Sequence, residues 1–346
     1  MAKDSVSRRK HPTLADVAAK AGVSRATASL VVRNSPLVSH STRDKVLEAM
    51  RSVGYVYNRA AAALRSQGTL AIGMVVPDIC NPFFAELTLG VESELENQQY
   101  SVFVVNTSEN KSRQELAIRR IVESQMDGLI ICPSRGTFTA DLEWVVQLGV
   151  PVVAVTRRIA RLDVDYVGAD NVAAGRVAAD YLIHLGHTNF AFVGGESESS
   201  ARQERLLGVT QALREHSLAI PMDLMPECRA TRSDATRITE SLLARKDRPT
   251  ALIGYNDVVA LGVLDAMHRA GVEPGKDVSI VGFDDIDEAA VSVPPLTTVA
   301  NRPRDIAREA TRILLRSISS PTDQHSERLL NGPLIQRETA GSLKKQ

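Results

Sequence analysis

From Thr69 onward, short apolar runs alternate with longer amphipathic stretches, and this alternation constrains the fold more than any other property of the 346-residue chain. The runs are AIGMVVP, YSVFVVN, MDGLIICPS, VPVVAVT, NFAFVGG, TALIGYND and VSIVGFDD. Each is too short for a buried helix and lacks strict polar alternation, so each predicts a buried parallel strand. Segments such as FFAELTLGVESELENQQ and AAGRVAADYLIHLG lie between them and predict covering helices. The order implies right-handed βαβ units, with sheets covered on both faces. Ligands of such sheets bind beyond the carboxyl ends of the strands. Asn81 to Phe84 follow the first run, Asp170 precedes a helix, Arg205 lies in ARQERLLG, Asn256 and Asp257 end IGYND, and Asp284 ends VGFDD. These side chains suit a polyol, because Arg and carboxylate groups take paired hydroxyls and an aromatic face takes the apolar side of a sugar ring. Phe83 suits the core equally well, and Asp257 suits the cap of the helix DVVALGVL.

The first 66 residues have a different texture. They hold 12 of the chain's 41 basic residues and only 4 of its 41 acidic ones, so a formal net charge of zero conceals a basic head on an acidic body. Positive charge that coincides with short helical patterns favours binding to a polyanion. In TLADVAAKAG, Leu14, Val17, Ala18 and Ala21 recur at helical spacing, with Thr13 and Asp16 as a capping box and Gly22 as the stop. Ser24 caps a second pattern, RATASLVVR, and a helix-turn-helix results. Its inward side is Ala28, Val31 and Val32, which leaves Arg25, Ala26, Ser29, Leu30 and Arg33 facing out. A third helix is expected from Ser39 to Gly54 through Val46, Leu47, Met50 and Val53.

The tracts TLADVAAKAGVSRATASLVVRN and VSHSTRDKVLEAMRSVGYVYN, followed by NRAAAALRS, resemble the LacI/GalR family of bacterial repressors in order and spacing, and the resemblance extends over essentially the whole chain. It implies a small all-α helix-turn-helix head at 1–57, a hinge helix and linker at 58–68, and an α/β effector-binding and dimerisation body at 69–346. That body is expected to be periplasmic-binding-protein-like, with two parallel-sheet subdomains at about 69–167 plus 300–332 and about 168–299 plus 333–346. Crossovers are expected near Val167 to Gly168, Thr297 to Ala300 and Gly332 to Leu334. The implied partners are double-stranded operator DNA with palindromic half-sites, a second copy of the chain, and a sugar, sugar phosphate or sugar acid in the cleft. Leu64 matches the family's wedge between base pairs, and Asn58, Arg59 and Ala61 share its hinge. In the head, Arg25 suits guanine, Ala26 and Leu30 suit thymine methyls, Thr27, Ser29 and Arg33 suit phosphates, and Thr13 and Ser24 are further DNA-binding candidates. The effector contacts of the family fall on Phe83 or Phe84, Asp170, Arg205, Asn256 and Asp284.

Other classes fit less well. No GxGxxG follows the first strand, no GxxxxGK[ST] occurs, GESESSAR is no nucleophile elbow, and the seven histidines are scattered, His184 and His187 at a helix end. An enzyme is therefore not expected, and neither a cofactor nor a metal. Cys80, Cys132 and Cys228 lie far apart without ligand spacing and read as reduced thiols. A solute-binding protein would share the body but has no need of a basic head. The start MAKDSVSRRKH lacks the apolar stretch of a signal peptide, and no transmembrane run is visible, so a cytoplasmic protein without membrane contact is expected. Where sugar-responsive members carry an aromatic ring, this chain has ECRATRSD, hence Ala230 or Thr231, while the single Trp, Trp144, reads as packing. Arg157, Arg158 and Arg202 are candidates for the cleft mouth, where they would suit an anionic effector.

Overall fold

The computed structural model describes residues 12–56, 68–322 and 324–342. The chain divides into two units, Met1–Thr69 and Leu70–Gln346. In the first, the caps expected from the sequence are formed. Helix α1 (Leu14–Ala21) begins at Thr13, whose N–H donates to Asp16 Oδ2 at 2.7 Å while Asp16 N–H donates back to Thr13 Oγ1 at 3.4 Å. It ends at Gly22, where φ of 67° needs a residue without Cβ. Ser24 accepts from Thr27 N–H at 3.0 Å and starts α2 (Arg25–Val32). Helix α3 (His40–Val53) runs from its Ser39 cap to Gly54.

Val17, Ala18, Ala28, Val31, Val46 and Ala49 form the buried core of this unit. Two expected core positions lie outside it. Leu47 is 39% exposed, because Val46, Ala49, Met50 and Val53 make one stripe of α3 and the next residue after Val46 is rotated by about 100°. Val32 is half-buried and does not join the cluster, whose share of the short α2 is Ala28 and Val31. The hinge residues Asn58, Arg59, Ala61 and Leu64 lie outside the described residues.

The second unit contains two sheets. The first orders six parallel strands as β10 (Glu327–Leu330), β5 (Asp165–Ala169), β4 (Val152–Val155), β3 (Gly128–Ile131), β1 (Ala71–Val76) and β2 (Ser101–Asn106). The second orders β11 (Leu334–Ile335), β9 (Thr297–Ala300), β8 (Ser279–Asp284), β7 (Ala251–Gly254) and β6 (Phe190–Val193), all parallel except β11, which runs antiparallel to β9. The chain passes from sheet to sheet after β5, after β9 and between β10 and β11. Gly168 and Ala169 still pair with Leu329 and Leu330, so the first passage begins just beyond Val167 to Gly168.

Most strands are buried on both faces, as continuous apolar runs require. Strand β2 is the exception. It is the last strand of its sheet and Phe103 is 51% exposed, so YSVFVVN is an apolar edge rather than a buried strand. Trp144 is half-buried on the helix Thr139–Gln147 and packs against the core, with the Arg119 guanidinium 5.8 Å from its ring centre.

Two helices after the first passage, α7 (Asn171–His184) and α8 (Ser200–Glu215), pack backbone to backbone. A Cβ on Gly208 would lie 1.9 Å from the Val172 carbonyl oxygen, and one on Gly175 would lie 2.1 Å from that of Arg205. No larger residue fits either place, and this close approach brings Arg205 beside Asn171.

Candidate functional site

In the head, the outward side of α2 carries Arg25, Ala26 and Arg33 as exposed residues, whereas Thr27, Ser29 and Leu30 are half-buried. Ser24 and Thr13 are exposed but are engaged as caps, and Arg33 folds back to donate from Nε to the Ser29 carbonyl at 3.3 Å. Arg25 has no ion pair or side-chain hydrogen bond among the described residues, which leaves its fork for an external acceptor. Arg43 steadies the turn after α2, reaching the Asn34 side chain and, at 2.7 Å, the Ser35 carbonyl.

In the body, a cavity of about 270 Å³ opens between the carboxyl ends of the two sheets. Five of the six sequence-predicted contact residues, Phe83, Phe84, Arg205, Asn256 and Asp284, line it. Asn81 caps the helix Pro82–Glu96 through Phe83 N–H and so delivers Phe83 and Phe84, whose rings meet edge to face at 5.3 Å. Phe83 is thus core and cavity wall at once, at 6% exposure.

Arg205 is the hub. Its Nε donates to Asn171 Oδ1 at 2.9 Å, one terminal nitrogen donates to the Tyr255 carbonyl, and the other reaches Asp284 Oδ1 at 3.4 Å. Its guanidinium also lies 4.8 Å from the Phe283 ring centre and 5.3 Å from that of Tyr255. Asp284 ends its strand with φ of 116° and Asp285 follows at 55°, a strained pair for residues with side chains. Asn301 holds the first carboxylate at 2.6 Å and Arg337 the second at 2.7 Å.

Asp170 does not line the cavity. Its carboxylate accepts from Ala173 N–H at 2.9 Å and caps α7, so the next residue, Asn171, takes the cavity position. Asn256, not Asp257, caps the helix Asp257–Ala270, accepting from Val259 N–H at 3.0 Å. Asp257 is fully buried, accepting from the Thr298 hydroxyl at 2.6 Å and from Ile286 N–H at 3.1 Å. Burial pushes its carboxyl well above the usual range, and the nearby Asp284 charge adds to this.

The raised Asp257 carboxyl has a measurable consequence. The folded chain binds a proton more readily than the unfolded chain between that raised value and the ordinary one near 3.8. Stability therefore increases as pH falls through this window. We expect the urea midpoint of wild type, followed through Trp144 fluorescence, to gain more than that of Asp257→Asn as pH falls toward the ordinary carboxylate range. An unchanged slope in Asp257→Asn would refute the assignment.

Tyr255 was not singled out in the sequence, although it sits between strand β7 and Asn256. Its hydroxyl lies 3.1 Å from Ser199 Oγ, and its ring supplies the aromatic wall on the side where Ala230 and Thr231 also line the cavity. Of the three candidate arginines at the mouth, Arg157 alone lines the cavity. Arg158 pairs with Glu204 at 3.0 Å and Glu327 at 2.7 Å, and Arg202 is buried, donating to the Gly194 and Met225 carbonyls. His187, three residues beyond α7, is buried with Nε2 2.9 Å from Ser279 Oγ, in a structural position. Among the described residues no helix is long and apolar enough to cross a membrane.

A cleft between two α/β lobes and a helix-turn-helix head in one chain can be compared with known proteins. Residues 69–338 match the family described as periplasmic binding proteins and sugar binding domain of LacI family, and residues 13–58 match bacterial regulatory proteins, lacI family. The chain belongs to the LacI family. The CytR transcriptional repressor of Escherichia coli (strain K12) is 33% identical over 331 residues, covering 96% of this chain and 97% of that one. The ribose operon repressor of Haemophilus influenzae is 30% identical over 332 residues, covering 96% and 99%. Among solved structures, the lac repressor dimer bound to operator and the anti-inducer ONPF is similar at a TM-score of 0.85 and 26% identity, covering 96% of this chain and all of that one. A LacI family regulator from Enterococcus faecium with bound ribose is similar at 0.70 and 28% identity, covering 79% of this chain and all of that one. This LacI-family chain is a DNA-binding transcriptional regulator rather than an enzyme.

Proposed function

We propose that this LacI-family regulator is a cytoplasmic repressor that binds a palindromic operator as a homodimer and is modulated by an uncharged sugar in the cleft. The observation that carries the reading is the Arg205 hub, a buried guanidinium held by Asp284 and Asn171 that lines a cavity together with Phe83, Phe84 and Tyr255. Polar groups fixed in this way, beside aromatic faces, bind hydroxyls and ring carbons together. The relative named for the ribose operon and the similar structure with bound ribose support a sugar of pentose size. The lac repressor dimer on its operator supports two-fold DNA binding, and one head alone offers too little surface for specificity. The apolar edge of strand β2, with Phe103 and Val104 exposed, suits burial against a second copy.

On the DNA, Arg25 takes guanine O6 and N7, while Ala26 and the half-buried Leu30 meet thymine methyls. Thr13, Ser24, Thr27, Ser29 and Arg33 lie on the phosphate side. Effector binding changes the pose of the two lobes, so affinities for effector and operator are coupled. Selection of half-sites from random DNA tests this assignment. Arg25→Ala is expected to relax one position at a cost of about 1–3 kcal/mol. Leu30→Arg is expected to change the preferred half-site. Recovery of one and the same half-site from wild type and Leu30→Arg would refute it.

A further inference from the structure

The charges that line the cavity are balanced in a particular way. Four arginines, Arg135, Arg157, Arg205 and Arg229, face the cavity together with Asp78, Glu109, Glu196 and Asp284. Each guanidinium already has a carboxylate. Arg205 has Asp284, Arg229 has Asp234 at 2.6 Å, Arg157 has Glu109 at 2.8 Å, and Arg135 stands between Glu109 at 3.7 Å and Glu196. Glu109 does most to produce this balance. Both of its oxygens accept from Arg157, at 2.8 and 3.0 Å, and one of them also accepts from Arg135 N–H at 3.0 Å. The side chain reaches them from a left-handed turn, Ser108 at φ 53° and Glu109 at φ 58°, which non-glycine residues adopt only where their surroundings hold them. Burial pushes the Glu109 carboxyl up, but Arg157 and Arg135 together outweigh this and hold it below the usual carboxylate range, so it carries its charge at neutral pH. Glu196 follows strand β6 and so approaches Arg135 from the other lobe.

We propose that Glu109, seconded by Glu196, is a specificity-determining residue that reserves the cleft for uncharged polyols. It occupies the guanidinium groups of Arg157 and Arg135, which otherwise match the phosphate or carboxylate of an anionic sugar. The inference rests on the cleft being the effector site. A guanidinium binds an oxyanion through N–H donors in a fixed fork, and both terminal nitrogens of Arg157 are committed, to Glu109 and to the Pro133 carbonyl. An entering phosphate would have to displace a carboxylate from a largely buried pair and then sit beside it, which repulsion and desolvation both oppose. A neutral hydroxyl meets neither obstacle, since it can donate to a carboxylate and accept from a guanidinium in the same place.

The test uses the full chain with D-ribose, D-ribose 5-phosphate and inorganic phosphate as probes, read by thermal shift and calorimetry. Wild type is expected to ignore both phosphates. Glu109→Gln keeps the shape but removes the charge, and is expected to gain at least about tenfold in affinity for D-ribose 5-phosphate and to respond to inorganic phosphate. Glu109→Gln combined with Arg157→Met is expected to lose that gain. If Glu109→Gln fails to fold, Glu196→Gln is read in the same way through Arg135. Phosphate binding by wild type as tight as by the variants, or variants that gain none, overturns the proposal. The inorganic phosphate readout does not depend on which sugar is the effector. Failure of the cleft itself looks different: operator release by a sugar that survives Asp284→Asn would place the effector elsewhere, with the anion gain of Glu109→Gln intact.

Discussion

Arg205→Ala should lower the unfolding free energy of the body by about 3–5 kcal/mol, the range for removing one partner of a buried ion pair, and should abolish the sugar response. The loss has three parts. Asp284, only 7% exposed, would keep Asn301 but lose its compensating charge, and burial already pushes that carboxyl up. Asn171 Oδ1 and the Tyr255 carbonyl would lose their donor, each a buried acceptor. The Phe283 and Tyr255 rings would lose the guanidinium beside them. Urea unfolding followed through Trp144 measures the total. The double variant Arg205→Met, Asp284→Leu distinguishes the causes, because it removes the uncompensated charge and restores apolar volume. It should recover more than half of the lost stability while remaining insensitive to sugar. A double variant as unstable as Arg205→Ala would show that packing around the guanidinium, not charge, is what the hub supplies.

Val46→Asp should eliminate operator binding while leaving the body's unfolding transition in place. Val46 is fully buried in a core that holds six buried residues among those described, and a domain of this size has a margin of roughly 3–5 kcal/mol. An unpaired carboxylate in such a core costs several kcal/mol, roughly the whole margin. The informative control is the adjacent residue. Leu47 is 39% exposed, so Leu47→Asp should leave the head folded by circular dichroism and retain most of the affinity for the operator. Equal loss in both variants would contradict the helical phase seen for α3. The sugar-dependent thermal shift, which reports the cleft, should survive Val46→Asp.

The contrast between Val46 and Leu47 shows where the sequence was legible and where it was not. Caps are local events, decided by residues three or four apart, and Thr13 with Asp16, Ser24, Gly22 and Gly54 occupy the expected places. The phase of a helix is less certain when apolar residues are adjacent, as in Val46–Leu47 or Val31–Val32, because either can head the stripe. Strand β2 illustrates the same limit in a sheet. An apolar run of YSVFVVN type looks the same in the centre or at the edge, and strand order, a non-local property, made it the edge.

The site follows the same division. Arg205 and Asp284 were legible because a charged group at the end of a buried strand or near a cleft must find a partner, and each finds the other. Asp170 and Asn171 are neighbours at a helix start, and only the cap hydrogen bond to Ala173 decided which of them the cavity received. Tyr255 carried no signal beyond its place before Asn256.

The βαβ alternation, the caps of the head and the family are all written in residues close together along the chain. Folding is what brings Glu109 to Arg157, 48 residues further on, and Glu196 to Arg135 from the opposite lobe. Charges so far apart in sequence become partners through sheet order and lobe packing, and those pairings set the charge that an effector meets in the cleft.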